Sequence, residues 1–358
     1  MKDANKIPKA VRCSVWATAA AAAVLAVATT AMAGSLDKGL NLKDFGTFYV
    51  NGETITTPAP NANANATPGR VVINQMFVEY FIPNASNGNP KVPVVMVHGS
   101  NHTGVTWMTT PDGREGWATY FIRQGHPVYV VDVVGRARSS WDTTNTNLSK
   151  VQNNPALNPG FSRTTYESAF SVFRLGPSPN VFYPNTRFPV DFYDQYQAQL
   201  VPNTESSLPP PRLNTTAALV SLLQKIGPAV LMGHSFGTQY AVGAGFTHPE
   251  LVKGVINLEG TAGHVCNLTP AELESYKTVP QLTVFADFIP GSIYVNGFNQ
   301  CSAQIAGTQA LGGDGTFLSL PAIGITGNSH MFMMENNNLQ IADLILNWID
   351  THVGRPKK

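Results

Sequence analysis

From about residue 71 to the C-terminus, short apolar runs rich in β-branched residues alternate with longer stretches whose apolar positions recur at helical spacing. The runs fall at residues 71–82, 93–97, 127–133, 229–232, 255–258, 282–285 and 317–325. All but the first, which reads as one or two extended strands ended by Pro83-Asn84, are near-continuously apolar and too short for independent helices. Strands buried on both faces have that look. Helical periodicity fits residues 116–124, 215–226, 238–247 and 339–353. The alternation predicts an α/β domain over residues 71–358, with a mostly parallel central sheet and helices on both faces.

Two segments break the rhythm. Residues 34–70 carry Pro58-Ala59-Pro60 and an Asn-Ala alternation from Asn61 to Ala66, and read as an N-terminal extension or linker. The connection from the run at 127–133 to the run at 229–232 is far longer than a simple crossover needs. It is rich in aromatics, among them Phe161, Tyr166, Phe170, Phe173, Phe188 and Tyr196, which need a surface to bury against. Residues 141–212 are therefore read as an inserted cap over one end of the sheet.

Composition narrows the function classes. A chain of 358 residues with 43% hydrophobic and 13% charged side chains can bury a sizeable core. The 23 Lys and Arg against 22 Asp and Glu form no long run of one sign, which argues against nucleic acid as a partner. No internal repeat points to a solenoid or propeller.

The N-terminus has the layout of a secretory signal. Lys2, Lys6, Lys9 and Arg12 precede an Ala-rich apolar run that closes on Ala31-Met32-Ala33, a small-x-small cleavage pattern. Gly34-Ser35-Leu36 follows in place of a stop-transfer cluster of charges, so residues 1–33 are expected to be removed and the mature chain to be exported with no membrane span. Its net charge would be −2. Cys13 would leave with the signal, which makes Cys266 and Cys301 the remaining pair in an oxidising compartment and predicts one disulfide. No CxxC spacing accompanies them to suggest a metal site.

Chemistry concentrates at Gly233-His234-Ser235-Phe236-Gly237. It lies between an apolar run and a helical pattern, the strand–turn–helix context of a GxSxG nucleophile elbow, and marks Ser235 as the nucleophile. A serine hydroxyl needs a base on another strand-end loop. His330 follows the last apolar run and precedes the last helix, and is the best placed; His102, close to the turn after the first parallel strand, is the harder rival to dismiss. For the carboxylate that orients the imidazole, Glu259 and Asp287 each end a strand at the same sheet edge, and spacing leaves both open. The backbone N–H groups of Phe236 and of Ser100, in the turn His98-Gly99-Ser100-Asn101, are the candidate oxyanion donors.

The segments Thr106-Trp107-Met108-Thr109-Thr110-Pro111-Asp112-Gly113-Arg114, Gly135-Arg136-Ala137-Arg138-Ser139, and Leu320-Pro321-Ala322-Ile323-Gly324 through Gly327-Asn328-Ser329-His330 resemble a small group of exported bacterial esterases of the α/β-hydrolase fold. The likeness runs from about residue 90 to the C-terminus. In that group the acid is a glutamate after strand six instead of an aspartate after strand seven, so the resemblance implies Glu259. It also implies the Cys266–Cys301 bridge, which would hold the loop after Glu259. One departure touches the oxyanion turn: a member of the group carries two adjacent cysteines where this chain has Ser100 and Asn101.

The expected activity is hydrolysis of small carboxylic esters through an acyl-enzyme, with no metal or organic cofactor, and with an acidic limb near the ~6.5 of free imidazole. A haloalkane dehalogenase or epoxide hydrolase would need a carboxylate where Ser235 stands. The competing readings are a lipase or polyesterase, an amidase, and a non-catalytic binding protein on a hydrolase scaffold. A cap of fixed pocket size favours short or aromatic soluble esters.

Overall fold

In a computed structural model, residues 39–84, 91–205 and 211–353 are described. The expected signal at residues 1–33 lies outside them. In chain order the elements are β1 (Leu42–Thr57), β2 (Gly69–Pro83), β3 (Val94–Val97), α1 (Trp117–Arg123), β4 (Val128–Asp132), α2 (Thr144–Val151), α3 (Tyr166–Val172), α4 (Tyr193–Ala198) and α5 (Pro211–Ile226). There follow β5 (Ala229–His234), α6 (Thr238–Thr247), β6 (Val252–Leu258), α7 (Pro270–Tyr276), β7 (Gln281–Phe285), α8 (Val295–Ala310), β8 (Gly315–Ser319) and α9 (Asn338–His352).

The strands make one eight-stranded sheet in the order β1-β2-β4-β3-β5-β6-β7-β8. β1 and β2 form an antiparallel hairpin and β2 runs antiparallel to β4, while every pairing from β4 to β8 is parallel. Successive side chains of a strand point to opposite faces, so each central strand feeds two cores. Val94, Met96, Val128, Val130, Val230, Met232 and Ile256 pack on one face, with α1, α9 and the aromatics Phe170, Phe188 and Tyr196 of the 141–212 segment. Val95, Val97, Tyr129, Val131, Leu231 and Val255 pack on the other, with α5 and α6. That two-sided burial is why these runs read as continuously apolar.

Two expectations change. The segment read as extension or linker contains β1, a sixteen-residue strand paired along its length with β2. β1 is an edge strand with Phe48 and Val50 on the covered face and Phe45 and Tyr49 exposed on the other, so apolar residues occur on both sides and no period-2 signal survives. The run at 317–325 is a strand only to Ser319; Pro321, without an N–H to give a neighbour, opens a short 3-10 turn. Among the described residues no helix is long and apolar enough to cross a membrane.

Parallel register aligns the strand ends that matter. Val97 of β3 pairs with Gly233 of β5, and His234 with Leu258 of β6. The residues that follow them, His98 to Asn101, Ser235 and Glu259, leave the sheet side by side at its C-terminal edge, where open α/β sheets bind ligands.

Candidate active site

Sterics dictate the elbow. A Cβ on Gly233 would lie 2.5 Å from Thr238 Cα, and one on Gly237 would lie 2.2 Å from the carbonyl oxygen of His98, so neither position admits a side chain. Ser235 between them sits at φ 51°, a left-handed conformation that a non-glycine residue holds only when its surroundings force it. Strand, turn and α6 follow in the order that presents a nucleophile above the sheet.

The candidate base and the candidate acid meet across 71 residues of chain. His330 Nδ1 donates to Glu259 Oε2 (2.5 Å), and both side chains are fully buried. Glu259 also takes an N–H from Ala286 on Oε1 (2.6 Å) and sits at φ 53°. Burial alone would push its carboxyl up; the charge of Arg174 and the hydrogen bond from His330 outweigh that and bring it down to about 2. His330 is moved below its ordinary value by burial, with the Glu259 contact opposing.

Asp287 is occupied elsewhere. Its Oδ2 accepts the Gly327 N–H (3.0 Å), its Oδ1 accepts the Phe288 N–H (2.8 Å), and its own N–H donates to Asn328 O (3.0 Å). It ties the end of β7 to the loop carrying His330 without touching the imidazole. Ser235 makes no hydrogen bond to His330: Nε2 of His330 is buried and has no partner in the protein. Nucleophile–base contacts often tighten only when substrate is bound.

The turn after β3 is braced from below. Gly99 packs so closely that a Cβ there would lie 2.9 Å from Ser235 Cβ. Its carbonyl oxygen accepts from Arg136 Nη1 (2.7 Å) and from His98 Nδ1 (2.9 Å), while His98 Nε2 accepts the Val133 N–H (3.1 Å). Because the peptide is planar, fixing the Gly99 C=O also fixes the direction of the Ser100 N–H. Arg136 is itself held by a buried two-point pair with Glu205. No sequence spacing links Arg136 to Glu205, 69 residues on.

The other histidines beside the elbow bond backbone and hydroxyl groups. His102 bonds Ser100 O through Nδ1 (2.6 Å) and the Tyr196 hydroxyl through Nε2 (3.1 Å), and burial pushes it down to about 3. Burial likewise takes His98 to about 4 and His234 well below its ordinary value. Of the four imidazoles beside the elbow, His98, His102, His234 and His330, the last is the one bonded to a carboxylate, and its Nε2 is buried with no partner in the protein. Cys266 and Cys301 are joined, with their Cα atoms 4.7 Å apart, and both sulfurs lie within 4 Å of the Asn257 carboxamide. The same carboxamide accepts the Gly260 N–H (2.6 Å) and donates to Gly260 O (3.1 Å), so the bridge backs the turn that carries Glu259. Among the described residues no group of three or more His, Cys, Asp or Glu is placed to hold a metal ion.

Sheet order, elbow and the loops around it define an α/β hydrolase. Compared with known proteins, the chain is 34% identical to a bacterial esterase solved at atomic resolution, superposing with a TM-score of 0.82 over 88% of this chain and 98% of that one. The chain belongs to the family of that esterase, and it is a hydrolase acting on ester bonds. A probable secreted lipase, phiG, of Fungal sp. (strain ATCC 74256) is 27% identical over 336 aligned positions, covering 76% of this chain and 85% of that protein. No protein-family model matches the sequence.

Proposed function

We propose that the protein is an exported serine carboxylesterase that cleaves short-chain or aromatic esters through an acyl-enzyme. Ser235 Oγ attacks the ester carbonyl as its proton passes to His330 Nε2, and the oxyanion is received by the N–H groups of Phe236 and Ser100. His330 returns the proton to the departing alcohol. A water molecule then repeats the sequence on the acyl-serine, with His330 again taking and returning the proton, and the carboxylic acid leaves. Glu259 fixes the tautomer with hydrogen on Nδ1 and stabilises the imidazolium each time it forms.

The observation that supports this reading best is the buried Glu259–His330 hydrogen bond with the second imidazole nitrogen unpartnered beside the elbow. Export rests on the pattern of residues 1–33 and on the disulfide. The preference for small substrates rests on the 141–212 segment, whose aromatics Phe170, Phe188 and Tyr196 are buried in the core on one face of the sheet.

Labelling with a fluorophosphonate, read by intact mass, tests the nucleophile. One adduct on the wild type and none on Ser235→Ala, with p-nitrophenyl acetate and butyrate cleaved faster than laurate, is the expected result. An adduct that persists in Ser235→Ala overturns the assignment. A lipase is the second reading, favoured by the fungal relative's name. It predicts instead that laurate is the better ester and that the rate jumps above the solubility limit.

A further inference from the structure

α3 ends at Val172, and the chain leaves it through Phe173 and Arg174. Arg174 has φ 52°, the left-handed conformation in which helices usually place glycine as they exit, yet here the position carries a long cation. Its side chain is only 1% exposed. It crosses the Tyr294 ring at 4.7 Å, donates through Nε to Asp287 O (3.0 Å) and ends with Nη2 on Glu259 Oε1 (2.5 Å). The preceding residues of the segment hold the base: Phe173 O accepts the His330 N–H (3.0 Å), and Val172 O accepts the Tyr294 hydroxyl (2.8 Å).

A carboxylate as buried as Glu259 needs a cation beside it. Two side chains touch it that can be cationic, Arg174 on Oε1 and His330 on Oε2. If His330 met the need, the imidazole would rest protonated and could take no proton from Ser235. We propose that Arg174 is a positioning residue, the resident counter-charge of Glu259, which leaves His330 neutral at rest so that it charges only as Ser235 gives up its proton.

This rests on the triad reading above. The titratable groups around His330 are accounted for. Glu259 and Arg174 act on it directly; His234, His102 and the Tyr294 phenol are held uncharged by burial; and Glu335 reaches it through its repulsion of Glu259. The repulsion of Arg174 on an imidazolium works in the direction the proposal needs.

The test reads the proton on His330 directly. In a Ser235→Ala background, the His330 imidazole is titrated by NMR with Arg, Gln or Lys at position 174. Arg174→Gln is expected to raise its pKa by about one unit or more, and Arg174→Lys, which keeps the charge, by much less. With Ser235 intact, the acidic limb of kcat/KM for p-nitrophenyl acetate moves up by the same amount in Arg174→Gln, so the loss of rate is about tenfold greater at low pH than on the alkaline plateau. A rate loss equal at every pH, with the His330 titration unmoved, overturns the proposal and leaves Arg174 a packing residue. Should Arg174→Gln fail to fold, the double variant Glu259→Gln/Arg174→Gln removes both buried charges. His330 must then titrate higher in the double variant than in Glu259→Gln alone, and equal values overturn the proposal. Failure of the triad reading shows separately, as wild-type turnover by Ser235→Ala.

Discussion

His234, the residue before the elbow serine, donates from Nε2 to the carbonyl oxygen of His330 at 3.0 Å. The variable position of the GxSxG motif thus holds the turn of Ser235 to the loop of His330, 96 residues apart in the chain. His234→Phe keeps an aromatic ring and removes the bond. At about 1 kcal/mol for a buried hydrogen bond, a five- to tenfold fall in kcat/KM is expected, with fluorophosphonate labelling slowed in parallel. Unchanged kinetics in a folded variant would show that the bond does not set the geometry.

Glu259 and Asp287 are separated by what they contact. Glu259→Gln should cost about 10³–10⁴ in kcat, since an amide can stabilise the wrong imidazole tautomer and cannot balance the imidazolium. Asp287→Asn loses at most one acceptor to the 327–328 loop and should cost about tenfold or less. Kinetics of the two variants side by side decide the point, and the reverse ranking would move the acid to Asp287.

The acidic limb should lie below the ~6.5 of free imidazole, lower than the sequence alone suggested, because burial disfavours the imidazolium of His330. The active form is the neutral base, so kcat/KM rises with pH through that lowered pKa and is flat above it. The neutral rings of His98, His102 and His234 add no further step, which predicts a log slope of one. A half-maximal pH above 6.5 contradicts the burial argument.

Glu335 carries a pH dependence of stability. Fully buried, it accepts the Ser329 N–H (2.8 Å) and the Asn328 carboxamide (2.6 Å), and burial raises its carboxyl to about 7. A carboxyl with a raised folded pKa binds its proton more tightly in the native state, so its contribution is fully present below the unfolded value of ~4.3 and is lost as pH rises through about 7. At about 1.4 kcal/mol per unit, roughly 3–4 kcal/mol should disappear across that window. Glu335→Gln should flatten that decline in denaturant melts between pH 4.5 and 7.5; an equally steep decline in the variant would place its source in another group.

What the sequence reveals depends on whether the physical constraint is local. The elbow is legible because close backbone approach excludes side chains at 233 and 237, and β3 to β7 because two-sided burial leaves an apolar run. Neither rule reaches Arg174, an arginine at a helix exit whose partner lies 85 residues on. The choice between Glu259 and Asp287 is equally opaque, since both follow parallel strands at one edge and only their contacts distinguish them. β1 is hidden by exposed Phe45 and Tyr49, which fill the face that an alternating pattern would leave polar.

The site is stitched from segments that the ribosome makes far apart, with contacts spanning 71, 85 and 96 residues. No fragment that stops short of His330 contains Glu259, Arg174 and His330 together. A nascent chain therefore has no partial version of the enzyme to display. Long-range closure of this kind makes folding slow. On the proposed export, that slowness would let the chain cross a membrane unfolded and become reactive only when its final loop and α9 have docked.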